Sequence, residues 1–344
     1  LGAGVQSTTI YLAACEGRIP TFDAAIFADT GWEPARVYQH LARLEAHGKE
    51  AGGPPIYRVS AGNIRDDALD PEHRFASMPL FVRNPDGSEG MVRRQCTSEY
   101  KLKPIKAKVR ELLGYPHPKS LPRGLFAEVA IGISTDEIGR ARDSDVGYMR
   151  NVFPLLDLGM DRKACERYLT EHGWIGVPKS ACIGCPFHGN RQWREMRDQH
   201  PDEWADAAEF DQAIRGGSAR ATARGKDLRG QMFLHRSRVP LDEAPIDHVT
   251  RAEWKNRQGD LFEDGDPDGC SPWVCRSGET ESSQTPAGPK FPGPAGQTGT
   301  GGADVALGKG SSPLVPHWPD APKRGAGRHS HCKDCRKTTR KDGS

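Results

Sequence analysis

Apolar positions in this chain change period several times. Ile10, Leu12, Ala13 and Ala14 follow the small-residue stretch Gly2-Ala3-Gly4-Val5-Gln6-Ser7-Thr8 and predict a helix opening straight from a loop. Residues 23–32 read as a buried strand ending in a polar turn, Asp29-Thr30-Gly31-Trp32. Pro34 opens a second helix where its missing N–H costs nothing, with Val37, Leu41 and Leu44 on one face and a stop near Gly48. Residues 56–60 form a short strand, and 61–90 an irregular polar excursion, read either as a lid over a binding face or as a solvated insertion. A helix with Ile105, Val109, Leu112 and Leu113 on its apolar face runs from Pro104 to Gly114. Residues 127–132 are another apolar strand, running into a polar loop that ends at Arg140. Further helices are expected from Asp161, an N-cap, to Gly173, and over 190–199 and 202–215. Residues 233–235 and 239–241 look like a last packed segment.

Loop, helix, strand, loop, helix is the order of a parallel α/β sheet, which binds ligands at the carboxyl ends of its strands. The loop at 2–8 suits an anion. Glycines let backbone N–H groups approach it, Ser7 and Thr8 add hydroxyls, and the helix directs its positive dipole end there. The sequence G-x-x-x-x-G-K-[ST] is absent, so this is not a Walker loop. A tight turn before a core helix is the plainer alternative.

The 344 residues suffice for one large domain with an appendage, divided here as a domain over 1–255, a disordered Gly/Pro/Ser-rich linker over 256–328 and a basic tail over 329–344. A net charge of +2 demands neither nucleic acid nor membrane. No apolar run is long enough to span a bilayer and no signal peptide is apparent, so the expected location is cytoplasmic. The chain opens on Leu1 directly at the loop, so the strand feeding that loop is expected upstream of it. Of nine cysteines, Cys15 and Cys165 fall in helical patterns as inert buried thiols, while close pairs at 182/185, 270/275 and 332/335 suggest metal or redox chemistry.

These stretches together resemble the phosphoadenosine phosphosulfate (PAPS) reductase family, within the PP-loop ATP pyrophosphatases. Gly2-Ala3-Gly4-Val5-Gln6-Ser7 stands where that family has its PP-loop, and Ala28-Asp29-Thr30-Gly31 matches its Asp-Thr-Gly turn. The segment from Cys96 to Ile105 matches Cys-Cys-x-x-Arg-Lys-Val-x-Pro-Leu, with Thr97 for the second Cys and Tyr100 for the Arg. Residues 132–140 resemble a Gly-x-Arg…Arg loop, with Ser134 for the first Arg, and Phe153-Pro154-Leu155 resembles an Asn-Pro-Leu stretch. The resemblance covers residues 1–188. It implies an α/β/α adenine-nucleotide α-hydrolase-like domain with a helical C-terminal extension. It also implies a nucleotide at Gly2, Ala3, Gly4, Gln6, Ser7, Thr8, Asp29, Thr30 and Gly31, with Ser7, Asp29 and Arg140 near the reacting phosphate. The family's catalytic Glu-Cys-Gly-Leu-His is not found here; Cys185-Pro186-Phe187-His188 keeps only a Cys and a His at that spacing.

The resemblance further places the Cys96 loop beside the Cys182-x-x-Cys185 turn. Related enzymes hold a [4Fe–4S] cluster with such cysteines, so Cys96, Cys182 and Cys185 are expected as ligands, His188 or the 270/275 pair supplying a fourth. Zn²⁺, or a redox-active or idle thiol pair, are the alternatives. Three functions remain open. One is cleavage of ATP at the α-phosphate with Mg²⁺ and transfer of adenylate, coupled to sulfur transfer to a nucleic-acid acceptor or from a sulfur-donor protein. The second is reduction of PAPS or adenylylsulfate by an external thiol. The third is a nucleotide- or nucleic-acid-binding module without chemistry, its basic tail docking a partner.

Overall fold

The computed structural model describes residues 1–73, 78–217, 230–250 and 253–254. The linker, the tail, Cys270, Cys275, Cys332 and Cys335 lie outside these residues. Helix α1 (Val5–Cys15) leads to β1 (Ala25–Asp29), α2 (Ala35–Ala51) and β2 (Ile56–Ser60). β1 and β2 pair in parallel, Ala25 opposite Ile56. Later, α4 (Lys103–Leu112), β5 (Ala127–Ala130) and β6 (Met149–Val152) follow α3 (Ile64–Leu69), β3 (Phe81–Arg83) and β4 (Glu89–Met91) in chain order. β5 and β6 make a second parallel ladder, Ala127 opposite Met149. The fold is thus mixed α/β with short parallel sheets. Leu1 lies along β1, its backbone nitrogen donating to Ile26 O at 2.8 Å.

The last part of the described chain is α5 (Pro154–Asp157), α6 (Arg162–Glu171), α7 (Asn190–Gln199), α8 (Pro201–Ala213) and β7 (Gln231–Phe233). α6 opens at Asp161, whose carboxylate accepts from Ala164 N at 2.6 Å, as its N-cap position demands. The polar pattern of α7 breaks only at its core positions, and Trp193 and Met196 are both buried. Among the described residues, no helix is long and apolar enough to cross a membrane.

Two sequence expectations change. Residues 61–73 and 78–90 are not an irregular, solvated stretch. They hold α3 and the β3–β4 hairpin, and β7 pairs antiparallel with β3 to make a three-stranded sheet. Ile64, Ala68, Met78, Leu80 and Val82 share one core with Trp193, Phe210, Met232 and Leu234. Strands of three residues are too short to show a period of two, so the pattern could not reveal them. The second change is Gly48, which does not stop α2. It lies inside the helix, which ends at Gly52 in the left-handed conformation (φ 65°), and the Gly52 N–H returns to Gly48 O. Gly48 is needed for packing: a Cβ there would stand 1.8 Å from Tyr11 Oη.

Candidate functional site

The first turn of α1 is built as the loop pattern suggested. Ala3 is fully buried with a positive φ of 56°, unusual for a residue with a Cβ. It packs with Phe27 of β1 and Val37 of α2, which hold the loop against the ladder. Gly4 caps the helix without a side chain. Ser7 closes the turn locally: its Oγ accepts from Gly4 N at 3.2 Å and donates to Gly4 O at 3.1 Å. Thr8 is placed elsewhere, fully buried in the α1–α2 interface with its hydroxyl 2.9 Å from His40 Nε2. Burial, with the charge of Arg43 adding to it, pushes His40 down to about 4, so the ring is neutral there.

The loop after β5 reaches this turn. A Cβ on Gly132 would sit 3.2 Å from both Gln6 Cβ and Ser7 N, so the two backbones meet closely. Gln6 Nε2 donates to Glu137 Oε2 at 3.5 Å, and Glu137 also pairs with Arg140. Arg140 therefore reaches the loop through Glu137. Two residues past Gly132, the hydroxyl of Ser134 is fully buried and has no hydrogen-bond partner among the described residues. Leaving a hydroxyl so costs about 1–3 kcal/mol.

The turn after β1 is equally determined. Asp29 Oδ1 accepts from Gly31 N and from Tyr38 Oη, each at 2.8 Å, which fixes the carboxylate. Burial, reinforced by Asp29, holds the Tyr38 phenol above its ordinary range. Gly31 has a φ of 74°, and a Cβ would approach Asn63 Cα to 2.9 Å. Asn63 caps α3, and Ile64 N donates to Thr30 O at 2.9 Å, so the excursion braces this turn from one side.

The cysteine turn braces it from another. Ile183 N donates to Trp32 O at 2.9 Å, and Gly184 lies flat on the Trp32 ring, where a Cβ would come within 2.0 Å. Thr30 Oγ1 is 3.2 Å from Cys182 Sγ. Arg94 stacks its guanidinium 4.6 Å over the Phe187 ring, which brings the Cys96 segment to the same place. Cys96 and Cys185 pack on the core that contains Cys182.

Two charged residues not counted among the candidates lie beside this turn; Lys101 stands at the Lys of the Cys-Cys-x-x-Arg-Lys-Val-x-Pro-Leu segment, and Glu33 has no pattern signal. Glu33 and Lys101 are buried, with Lys101 Nζ 3.7 Å from Glu33 Oε1. The same oxygen accepts from Thr30 Oγ1 at 3.2 Å and lies 3.9 Å from Cys182 Sγ. Lys101 stands in a π-helical turn, Thr97–Leu102, that leads into α4. Charged residues default to the surface, so only their positions beside Trp32 and after Cys96 could have marked them.

His188 is a brace of the turn. Its Nε2 donates to Cys182 O at 2.9 Å and to Ile183 O at 3.1 Å, and burial, with Lys179 nearby, pushes it down to about 4. Its Nδ1 lies 3.4 Å from Gln192 Oε1. Among the described residues, no three of His, Cys, Asp and Glu come together as a metal-holding group. Cys165 is fully buried and pushed by burial up to about 12, as an inert packing thiol requires; Cys15, expected buried, is half-buried, its thiol also raised by burial. A groove of about 260 Å³ between α1 and α6, lined by Thr9, Arg18, Met160, Arg167, Tyr168 and Glu171, includes none of the candidate site residues.

No protein-family model, characterised protein or solved structure matches this chain. The geometry defines only a class: a mixed α/β protein in which the loop after β5 meets the first turn of α1, and the thiol turn and the Asn63 segment brace the turn after β1.

Proposed function

We propose that this protein is a PP-loop nucleotide enzyme of the PAPS reductase kind that cleaves ATP at its α-phosphate. The proposal includes the finer architecture of an adenine-nucleotide α-hydrolase-like domain. The observation that carries it is the close approach of Gly132 to Gln6 and Ser7, which joins the β5 loop to the first turn of α1. Backbone N–H groups of that turn and the positive helix end would hold the phosphates. The buried Ser134 hydroxyl next to it would gain in a bound phosphate oxygen the partner it otherwise lacks.

In this reading an acceptor oxygen attacks the α-phosphorus and pyrophosphate leaves; Mg²⁺ would neutralise the charge on the departing phosphates. Ser7 and the backbone amides stabilise the charge that develops, and Arg140, held by Glu137, adds positive potential at the same edge. Asp29 shapes the turn through Gly31 and Tyr38, a positioning role. The acceptor side would be a nucleic acid or a sulfur-carrying partner protein.

Incubation of the protein with ATP and with PAPS, following pyrophosphate and sulfite, tests the reading. ATP-dependent pyrophosphate release, slowed about 10²-fold by Ser7→Ala as for loss of an oxyanion-hole donor, supports it. Sulfite release from PAPS with an external thiol, faster than any ATP turnover, replaces it with the reductase reading. Nucleotide binding without either product leaves the non-catalytic module.

A further inference from the structure

We propose that Cys182 and Cys185 form a two-electron dithiol–disulfide couple, with Thr30 and Glu33 as the proton path for the buried sulfur. This stands independently of the nucleotide reading, because it rests on the thiol turn alone. Cys185 N donates to Cys182 O at 3.1 Å, which makes residues 182–185 a hydrogen-bonded turn. Such turns bring their first and last Cα within about 7 Å, and a disulfide needs roughly 4.4–6.8 Å. The turn is held rigidly. His188 Nε2 donates to two of its carbonyls, and Gly184 is pressed on Trp32.

The two sulfurs differ in the way an exchange couple requires. Cys185 is half-buried, so it is the one that can meet an external disulfide. Cys182 is buried. Thr30 Oγ1 is 3.2 Å from Cys182 Sγ and donates to Glu33 Oε1 at 3.2 Å, while Lys101 balances the carboxylate at 3.7 Å. A buried carboxylate beside a buried thiol is placed to take its proton, directly over 3.9 Å or through the threonine hydroxyl.

The exchange balances as follows. The Cys185 thiolate attacks an external disulfide R–S–S–R′, forming Cys185–S–S–R and releasing R′S⁻. Cys182 passes its proton towards Glu33 and attacks the Cys185 sulfur, the Cys182–Cys185 bond forms and RS⁻ leaves. Both released thiolates are protonated, one by the proton from Cys182 and one by that from Cys185. Two protein thiols are oxidised by two electrons and one small-molecule or protein disulfide is reduced.

The full-length protein, equilibrated with graded ratios of reduced and oxidised glutathione and quenched by alkylation, reads this by peptide mass mapping. The expected result is a Cys182–Cys185 disulfide appearing over a defined range of ratios, with Cys15 and Cys165 alkylated after unfolding. In Cys182→Ser a mixed disulfide at Cys185 accumulates instead of resolving. Glu33→Gln slows resolution roughly 10²-fold, the scale of a lost general base. The wild-type titration needs no variant, so misfolding of one leaves the proposal testable. Thiols at 182 and 185 that stay reduced at every ratio, or stoichiometric iron or zinc held by them in the purified protein, would overturn it.

Discussion

Gly48→Ala is the substitution whose sign separates helix propensity from packing. In an exposed helix interior, Gly to Ala gains about 0.5–1 kcal/mol. Gly48 is buried inside α2, and its new Cβ would lie 1.8 Å from Tyr11 Oη and 3.0 Å from the ring carbon that carries it. The ring cannot swing aside cheaply: Tyr11 is 2% exposed and its hydroxyl donates to Pro54 O at 2.9 Å. Overpacking of this kind costs about 1–3 kcal/mol. Pulling the hydroxyl off a buried carbonyl adds about 1–3 kcal/mol. After the propensity gain, the net loss should be roughly 1–5 kcal/mol. Urea unfolding of the full chain measures it. The double variant Tyr11→Phe/Gly48→Ala should lose less than the two single changes together, because removing the hydroxyl removes the nearest clash. A Gly48→Ala protein as stable as the parent, or more so, would refute the packing role and restore propensity as the governing effect.

Other outcomes follow from the same structure. Asp161→Ala should cost about 1 kcal/mol of stability in urea through loss of the α6 cap. Gly184→Ala should cost about 1–3 kcal/mol by pushing against the Trp32 ring, whose indole N–H is tied to Asp206, and should alter tryptophan fluorescence. Stability should fall as pH drops from 6.5 towards 4. His40, His188 and His235 are each pushed down to about 4 by burial, so the unfolded chain takes up their protons first. Each contributes up to about 1.4 kcal/mol per pH unit in that window, and an unfolding free energy constant between pH 6.5 and 5 would contradict their neutral burial.

Much of the local architecture was legible in the sequence because its causes are local. The helix after Gly4, the strand ending at Asp29, the N-cap at Asp161 and the turn at Gly31 each depend on neighbours a few residues away: the 3.6 period, a capping oxygen, or a positive φ. The meeting of the loops at 2–8 and 132–140 came from the tertiary structure, since their strands lie in separate two-stranded ladders. What tertiary structure decided was the meaning of residues that local rules assign to something else. Gly48 looks like a helix stop until Tyr11 is found against it, and the real stop is Gly52. Thr8 looks like a ligand donor until His40 takes its hydroxyl across the α1–α2 interface. Residues 61–90 look polar and loose because their core contacts, with Trp193 and Phe210, come from far along the chain. Lys101 stands on a motif Lys and Glu33 on no pattern, and their pairing was visible in neither: a buried charge is tolerated only where folding brings its partner to it, and no rule of sequence spacing supplies that partner.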